Sequence, residues 1–266
     1  MEKSKKKVFT PAFIVTIAIT LALMLVSLLT GAYDIFAGGN SYEMIFITRI
    51  PRTLALMLSA VAMSLSGIVM QLISQNKLVE PTTTGTIEWA GLGLMIVYIL
   101  IPAPSLLARM TGSIIASFVG SMVFFYLLRN IKLKSSLFVP IVGIMLGAVV
   151  SSISTFIGLE FNMTQLIELW FQGSFAPVQK GRYEYLYIIV VITLIIYIYA
   201  DKLTLAGLGE DIATNLGVNY RKIILSANIL VALAVGIVSA VIGNIPFLGL
   251  IVPNIVSVSY THLTLP

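Results

Sequence analysis

The chain contains 266 residues, of which 58% are hydrophobic and 10% charged, and its formal net charge is +5. Soluble domains carry about 45–50% apolar and about 25% charged residues, so this composition excludes a soluble globular domain, a disordered chain and a secreted disulfide scaffold. The absence of cysteine excludes disulfides, zinc ribbons and thiol nucleophiles, and the single histidine provides no imidazole pair for a metal. The composition indicates a membrane protein, whose basic residues serve orientation rather than nucleic-acid binding.

Eight apolar stretches predict eight membrane-crossing helices, because about 20 apolar residues span the hydrocarbon core. The first follows a lysine-rich start and is too long for a cleaved signal peptide. The third is short and contains Glu88, Gly91 and Gly93, so we expect it to be tilted or broken. In chain order the stretches lie at 11–31, 54–74, 87–101, 111–128, 138–158, 185–200, 223–243 and 247–257.

The distribution of basic residues predicts the orientation of the chain. If the amino terminus is cytoplasmic, the inner stretches 1–10, 75–86, 129–137 and 201–222 carry most of the 16 lysine and arginine residues, as the positive-inside rule requires. We therefore expect a multi-pass protein of the cell membrane with a cytoplasmic amino terminus. No GxxxxGK[ST] sequence occurs, so ATP-driven transport would need an ATPase on another chain.

The segment from Arg49 to Gly93 carries the most specific pattern, and a second segment follows near the end of the chain. The pieces read Arg49-Ile50-Pro51-Arg52, Ser66-Gly67 with Gln71, Asn76-Lys77-Leu78-Val79-Glu80-Pro81 and Pro246-Phe247-Leu248-Gly249-Leu250-Ile251-Val252-Pro253-Asn254. In this order they strongly resemble the signature of permease subunits of iron–siderophore and vitamin B12 ABC importers, the FecCD type. Lys77 stands where that family usually has proline, and Asn254 where it usually has histidine. Both departures resemble catecholate-siderophore permeases, including those of the petrobactin type.

The resemblance implies an all-α, polytopic transmembrane helix bundle of the type II ABC importer permease kind, truncated at its carboxyl terminus, with about 8 of about 10 spans present. It implies four partners: a second permease protomer in a homodimer or heterodimer, a cytoplasmic ABC ATPase dimer, an extracytoplasmic siderophore-binding protein and a ferric siderophore. ATP and Mg would bind to the ATPase, while this chain would bind no cofactor and catalyse no reaction. The alternatives are import of vitamin B12 or haem, an integral membrane enzyme and a scaffold subunit that transports nothing.

Arg49 and Arg52 lie at the predicted outer start of the second span, three residues apart, so that a helical start projects both from one face. By the resemblance, these arginines pair with carboxylates on the lobes of the binding protein, a use that suits the planar guanidinium group. The alternative is that they are interfacial anchors bound to lipid headgroups.

Two loops are candidates for a cytoplasmic gate. By the resemblance, Asn76 and Leu78 match positions that help to close the gate, and Ser135, Ser136 and Leu137 match a second gating loop before the fifth span. The alternative is an ordinary capped turn in each case, because serine and threonine commonly cap helices.

Two polar side chains are candidates for the transport pathway. Gln71 lies near the predicted inner end of the second span and faces either a neighbouring helix or the pathway. Glu88 lies near the start of the third span, where a carboxylate is costly unless it is paired or hydrated. Glu88 therefore contacts either the pathway or a basic partner, or it lies at the inner interface near Lys77.

Residues 203–222 form the only sizeable polar insert on the predicted inner side. Two glycines frame a turn, and residues 210–216 predict a short helix closed by a third glycine. The resemblance implies that this coupling segment docks the ATPase. A helix lying on the membrane is the alternative, but Ile212 and Leu216 alone provide a narrow apolar stripe. The candidate coupling residues are Gly207, Gly209, Glu210, Asp211, Leu216 and Gly217.

The last nine residues, VSYTHLTLP at 258–266, depart abruptly from the apolar segment before them. They resemble the translation of a sequencing-library adapter, so we expect a non-native tail to be excluded from fold reasoning. The alternative is a genuine divergent terminus. On this interpretation, residues 1–257 form one incomplete transmembrane permease domain that contains the coupling segment.

Overall fold

A computed structural model of the chain describes residues 11–30, 41–131 and 137–264. These residues form helices joined by short turns. The predictions that fall on residues 1–10, on Ser135 and Ser136 and on the last two residues lie outside the described part. The helices are α1 (Pro11–Leu29), α2 (Ser41–Met44), α3 (Ile50–Ser74), α4 (Thr86–Leu100), α5 (Leu106–Asn130), α6 (Phe138–Glu160), α7 (Thr164–Gln172), α8 (Ile188–Ile198), α9 (Ala200–Ala206), α10 (Glu210–Asn215), α11 (Tyr220–Val241) and α12 (Leu248–Thr264), with a π-helical turn at Ile45–Arg49 and a 3₁₀ turn at Tyr183–Tyr187.

The apolar helices follow the predicted stretches in order. Within the described residues, four helices are long and apolar enough to cross a membrane: α5, α6, α11 and the continuous run Ile45–Ser74. A fifth crossing results if Tyr183–Ile198 and α9, which meet at a bend of 61°, form one span. Three shorter apolar helices, Phe13–Leu29, Thr86–Leu100 and Leu248–Val258, match the remaining predictions. The third predicted stretch is an unbroken helix of 15 residues, short rather than interrupted.

α11 forms the centre of the bundle, with α3, α4, α5 and α8 packed around it. Its small residues allow backbones to approach closely, as is typical of membrane helices. A Cβ atom at Gly236 would lie 2.6 Å from the Cα atom of Ile114 on α5. Close by, the Ser117 hydroxyl donates a 3.1 Å hydrogen bond to the carbonyl of Ala232. By contrast, most side chains of α1 are exposed, which suits a helix that faces lipid.

α12 begins beside the middle of α3, because Gly249 contacts both Gly67 and Met63. A Cβ atom at Gly249 would lie 2.8 Å from the carbonyl oxygen of Met63, and one at Gly67 would collide with the carbonyl of Gly249. α3 has 25 residues, or about 38 Å at 1.5 Å per residue, so its midpoint lies within the hydrocarbon layer. α12 therefore starts inside the membrane region.

The helix α12 continues to Thr264, through the predicted non-native tail that begins at residue 258. Pro253 lies inside this helix. The foreign origin of the tail stays a prediction.

Replacing Gly67 with alanine should destabilise the fold, because the added methyl group meets the backbone of Gly249 and not a flexible side chain. Overpacking of this kind costs about 1–3 kcal/mol, which predicts a lower melting temperature in detergent. Ser64→Ala, at a half-buried position of the same helix, is the control and should melt close to the wild type. Equal melting of Gly67→Ala and wild type would contradict the contact between α3 and α12.

Candidate functional site

The loop from Gln75 to Gly85 carries the first predicted gate residues and is tightly hydrogen-bonded. Asn76 is buried, and its Oδ1 atom accepts a 2.9 Å hydrogen bond from the backbone N–H of Leu78. The N–H of Glu80 donates to the Thr83 hydroxyl at 2.8 Å. The Leu78 side chain, by contrast, is 45% exposed. The loop is thus an ordered turn that presents one apolar side chain at its surface.

The helix α6, which follows the second predicted gating loop, packs against the first loop. Leu137 immediately precedes α6 and is 63% exposed. The first turns of α6 pack against the end of the first loop, since a Cβ atom at Gly143 would lie 2.7 Å from the Cα atom of Thr84. A Cβ atom at Gly147 would likewise lie 3.2 Å from the Cα atom of Gly85. The structure therefore brings the start of α6 and the loop Gln75–Gly85 together.

The two pathway candidates face neighbouring helices. The Gln71 amide lies 3.4 Å from the carbonyl oxygen of Gly249 on α12 and donates to it. Glu88 is half-buried in the first turn of α4, and a Cβ atom at Gly147 of α6 would lie 3.3 Å from its carboxylate. The Oε2 atom of Glu88 is buried and has no hydrogen-bond partner among the described residues. Both roles in the pathway stay predictions.

The motif residue Glu80 is fully buried, and its role is not among the predictions made from the sequence. Its Oε1 atom accepts a 3.1 Å hydrogen bond from the N–H of Phe247, just before α12, and another from the Thr82 hydroxyl. The available signal is a carboxylate that directly precedes Pro81 and follows two apolar residues in the motif.

The predicted docking arginines have different surroundings. Arg49 is only 9% exposed, and its Nη1 atom donates to the carbonyls of Leu28 and Leu29 at 3.0 and 2.9 Å. It therefore binds the last carbonyls of α1, which no residue within the helix can pair. Arg52 is exposed on the first turn of α3. Arg52, rather than Arg49, has its guanidinium group at the surface.

The coupling segment forms the predicted short helix, α10, which ends before a glycine in the left-handed region. Gly217 has φ +79°, and its N–H donates to Thr214 at 2.9 Å. Glu210 and Asp211 are exposed in the first turn of α10. Leu216, on the turn that follows, is 57% exposed. These side chains form a compact surface of acidic and apolar groups.

The coupling segment contacts the end of α3, where the first loop begins. A Cβ atom at Gly209, whose φ is +106°, would lie 2.9 Å from the Gln75 amide nitrogen. One at Gly207 would lie 3.1 Å from the Leu72 side chain. A cavity of about 690 Å³ lies beside this contact, lined among others by Gln75, Glu210 and Arg221. The coupling segment therefore lies directly against Gln75, the first residue of the loop.

These features define a class of protein: a polytopic helical membrane protein with an exposed polar segment packed against a buried, irregular loop. The chain belongs to the FecCD transport family, whose model matches residues 13–264. The predictions of an all-α membrane bundle and of membership in this permease family are confirmed. Among the described residues, no three His, Cys, Asp or Glu side chains cluster as a metal site requires.

Several characterised proteins are similar to the chain. The petrobactin import system permease protein FatD of Bacillus anthracis is 63% identical over 251 residues, which cover 94% of this chain and 75% of that protein. The petrobactin import system permease protein YclN of Bacillus subtilis is 43% identical, over 80% of this chain and 68% of that protein. A solved structure, described as an inward-facing conformation of a transporter assigned to the metal-chelate type of ABC transporter, shares the fold with a TM-score of 0.75. It is 24% identical, and the match covers 92% of this chain and 80% of that one.

Proposed function

We propose that the chain is the permease subunit of a binding-protein-dependent ABC importer, which moves a ferric siderophore into the cytoplasm. The observation that carries the mechanism is the contact of Gly209 with Gln75, which joins the exposed coupling segment to the loop of Asn76 and Leu78. ATP and Mg bind to a separate ATPase dimer in the cytoplasm. This chain contributes a path and a gate, and no covalent chemistry.

The similarity to permeases of petrobactin import supports a catecholate siderophore as the cargo. Two relatives named for petrobactin import are 63% and 43% identical. A vitamin B12 permease of Klebsiella pneumoniae is 29% identical over 88% of this chain. Import of vitamin B12 or haem is the second candidate within the same family.

The proposed cycle begins when the ATPase dimer binds ATP and moves the coupling segment. A partner can shift the permease between its outward-open and inward-open states only if it binds the two states with different affinities. The contacts of the ATPase with Glu210, Asp211 and Leu216 must therefore differ between the two states. Gln75 passes this movement to Asn76 and Leu78. The paired loop at Ser135, Ser136 and Leu137 and a second permease protomer complete the gate, while Gln71 and Glu88 lie along the path.

The distribution of basic residues supports the proposed orientation. With the amino terminus in the cytoplasm, the coupling segment faces the ATPase, and Arg52 faces the binding protein on the outside of the cell membrane. The exposed guanidinium group of Arg52 pairs with a carboxylate of that protein, as suits its geometry. Arg49 supports this surface by holding the end of α1 in place.

The substrate is tested by uptake in a strain that lacks the permease gene. Expression of the gene together with its ATPase should restore uptake of iron-loaded petrobactin, and uptake should fail when the P-loop lysine of the ATPase is replaced. Radioactive iron retained by the cells is the measurement. Restored uptake of vitamin B12 or haem, without petrobactin, would assign the chain to the second candidate.

Arg52→Glu should weaken capture of the binding protein about tenfold, because it places a negative charge opposite a carboxylate. Arg182→Glu, which reverses another exposed charge on the predicted outer side, is the matched control. Binding of the purified protein to membrane vesicles measures both, and the Arg52 effect should shrink at high salt. Equal weakening by the two variants would point to general electrostatics rather than docking.

Reversing both charges of the α10 surface, with Glu210→Lys and Asp211→Lys, should abolish uptake while ATP hydrolysis continues. The ATPase then no longer moves the segment that contacts Gln75. Asp201→Lys, at an exposed position on the neighbouring helix α9, should leave uptake unchanged. The ratio of iron imported to ATP hydrolysed in proteoliposomes measures coupling, and a normal ratio in the double variant would refute the docking role.

A further inference from the structure

The carboxylate of Glu80 joins the first loop to α12. Glu80 has no exposed surface, and its Oε1 atom lies 3.1 Å from the backbone nitrogen of Phe247, which donates to it. Its Oε2 atom lies 2.9 Å from the position that a Cβ atom at Gly249 would occupy. The carboxylate therefore lies directly against the first turn of α12.

The start of α12 needs such a group for a physical reason. The first N–H groups of a helix have no partner within the helix, and lipid provides none. A negative charge at this end is also favoured by the helix dipole. Phe247 has φ +67°, a left-handed conformation that bulky residues rarely adopt without support from their surroundings. Glu80 accepts the N–H of this residue and so supports the turn into α12.

A second contact fixes the same two elements about two turns further along α12. The Asn254 amide donates a 3.1 Å hydrogen bond to the carbonyl of Lys77, in the first loop. The Gln71 amide donates to the carbonyl of Gly249, between these two points. Three polar contacts thus connect α12 to the loop and to the end of α3 that leads into it.

We infer that Glu80 is a positioning residue that fixes the loop of Asn76 and Leu78 to the start of α12, so that loop and helix move as one body. The positioning role of Glu80 rests on these contacts, whereas the importance of the loop for gating rests on the proposed function. Because the carboxylate accepts hydrogen bonds from both Thr82 of the loop and Phe247 beside α12, its loss removes the contact at the start of α12 and loosens the two elements there, while the contacts of Asn254 and Gln71 remain.

The test measures the spacing between loop and helix by the dipolar coupling of two spin labels. The chain contains no cysteine, so labels attach only at Lys77→Cys and Ile255→Cys, both at exposed positions. The permease is purified with a cysteine-free form of its ATPase, labelled, and returned to lipid vesicles. In this background we expect one narrow distribution of distances between the two labels. The distribution should broaden in Glu80→Ala and stay narrow in Glu80→Gln, which keeps an acceptor oxygen for Phe247.

Glu184→Ala is the matched control, because the Glu184 carboxylate also accepts a backbone N–H, from Gly181 at 2.8 Å, in a different turn. It should leave the spacing narrow. An unchanged spacing in Glu80→Ala overturns the inference. If that variant does not reach the membrane, Thr82→Val replaces it, since it removes only the hydroxyl that donates to Glu80. Partial broadening is then expected, and a wild-type spacing overturns the inference.

Iron uptake by the same variants separates the inference from the proposed function. If Glu80→Ala loses iron uptake and also shows a broadened distance distribution, the result supports both the inference and the proposed function. Normal uptake despite a lost spacing supports the role of Glu80 in positioning and refutes the gate role of this loop.

Discussion

The structure depends on one constraint: inside a membrane, every backbone N–H and C=O group needs a partner from the protein. Two of the segments that break the helical pattern, Gln75–Gly85 and the turn before α12, lie against each other. Hydroxyl groups satisfy part of the first segment, and the carboxylate of Glu80 satisfies the start of the second helix. Each segment thus provides partners for part of the other's buried backbone.

The contacts of this pair of segments extend outwards to a short polar segment at one surface of the bundle. The helix α3 ends at Ser74, and Gln75 lies in the left-handed region with φ +52°. Gly209 of the coupling segment approaches its amide. From Gln75 the hydrogen bonds continue through Asn76 to Leu78 and through Glu80 to α12. A displacement at the surface thus meets a chain of fixed contacts rather than a flexible loop.

The apolar helices, the short helix α10 and the family could be predicted from the sequence, because hydropathy and glycine positions act over a few neighbouring residues. The partners of Arg49 and Glu80 could not, because they depend on which distant segments meet. Arg49 binds carbonyls 20 and 21 residues earlier, and Glu80 binds an N–H 167 residues later. A motif indicates which residues a family shares. Only the packing of distant segments shows that Arg49 caps the carboxyl end of α1, whereas Arg52 is exposed at the surface.

The two departures from the family pattern, Lys77 and Asn254, meet in the structure, yet they are chemically independent. The hydrogen bond runs from the Asn254 side chain to the backbone carbonyl of Lys77, and a proline at position 77 would offer the same carbonyl. A histidine at position 254 could also donate through a ring N–H. Either pair of residues can therefore keep α12 fixed to the loop. The exposed side chain of Lys77 takes no part in this contact. The residue at position 77 can therefore change while the contact between loop and helix stays the same.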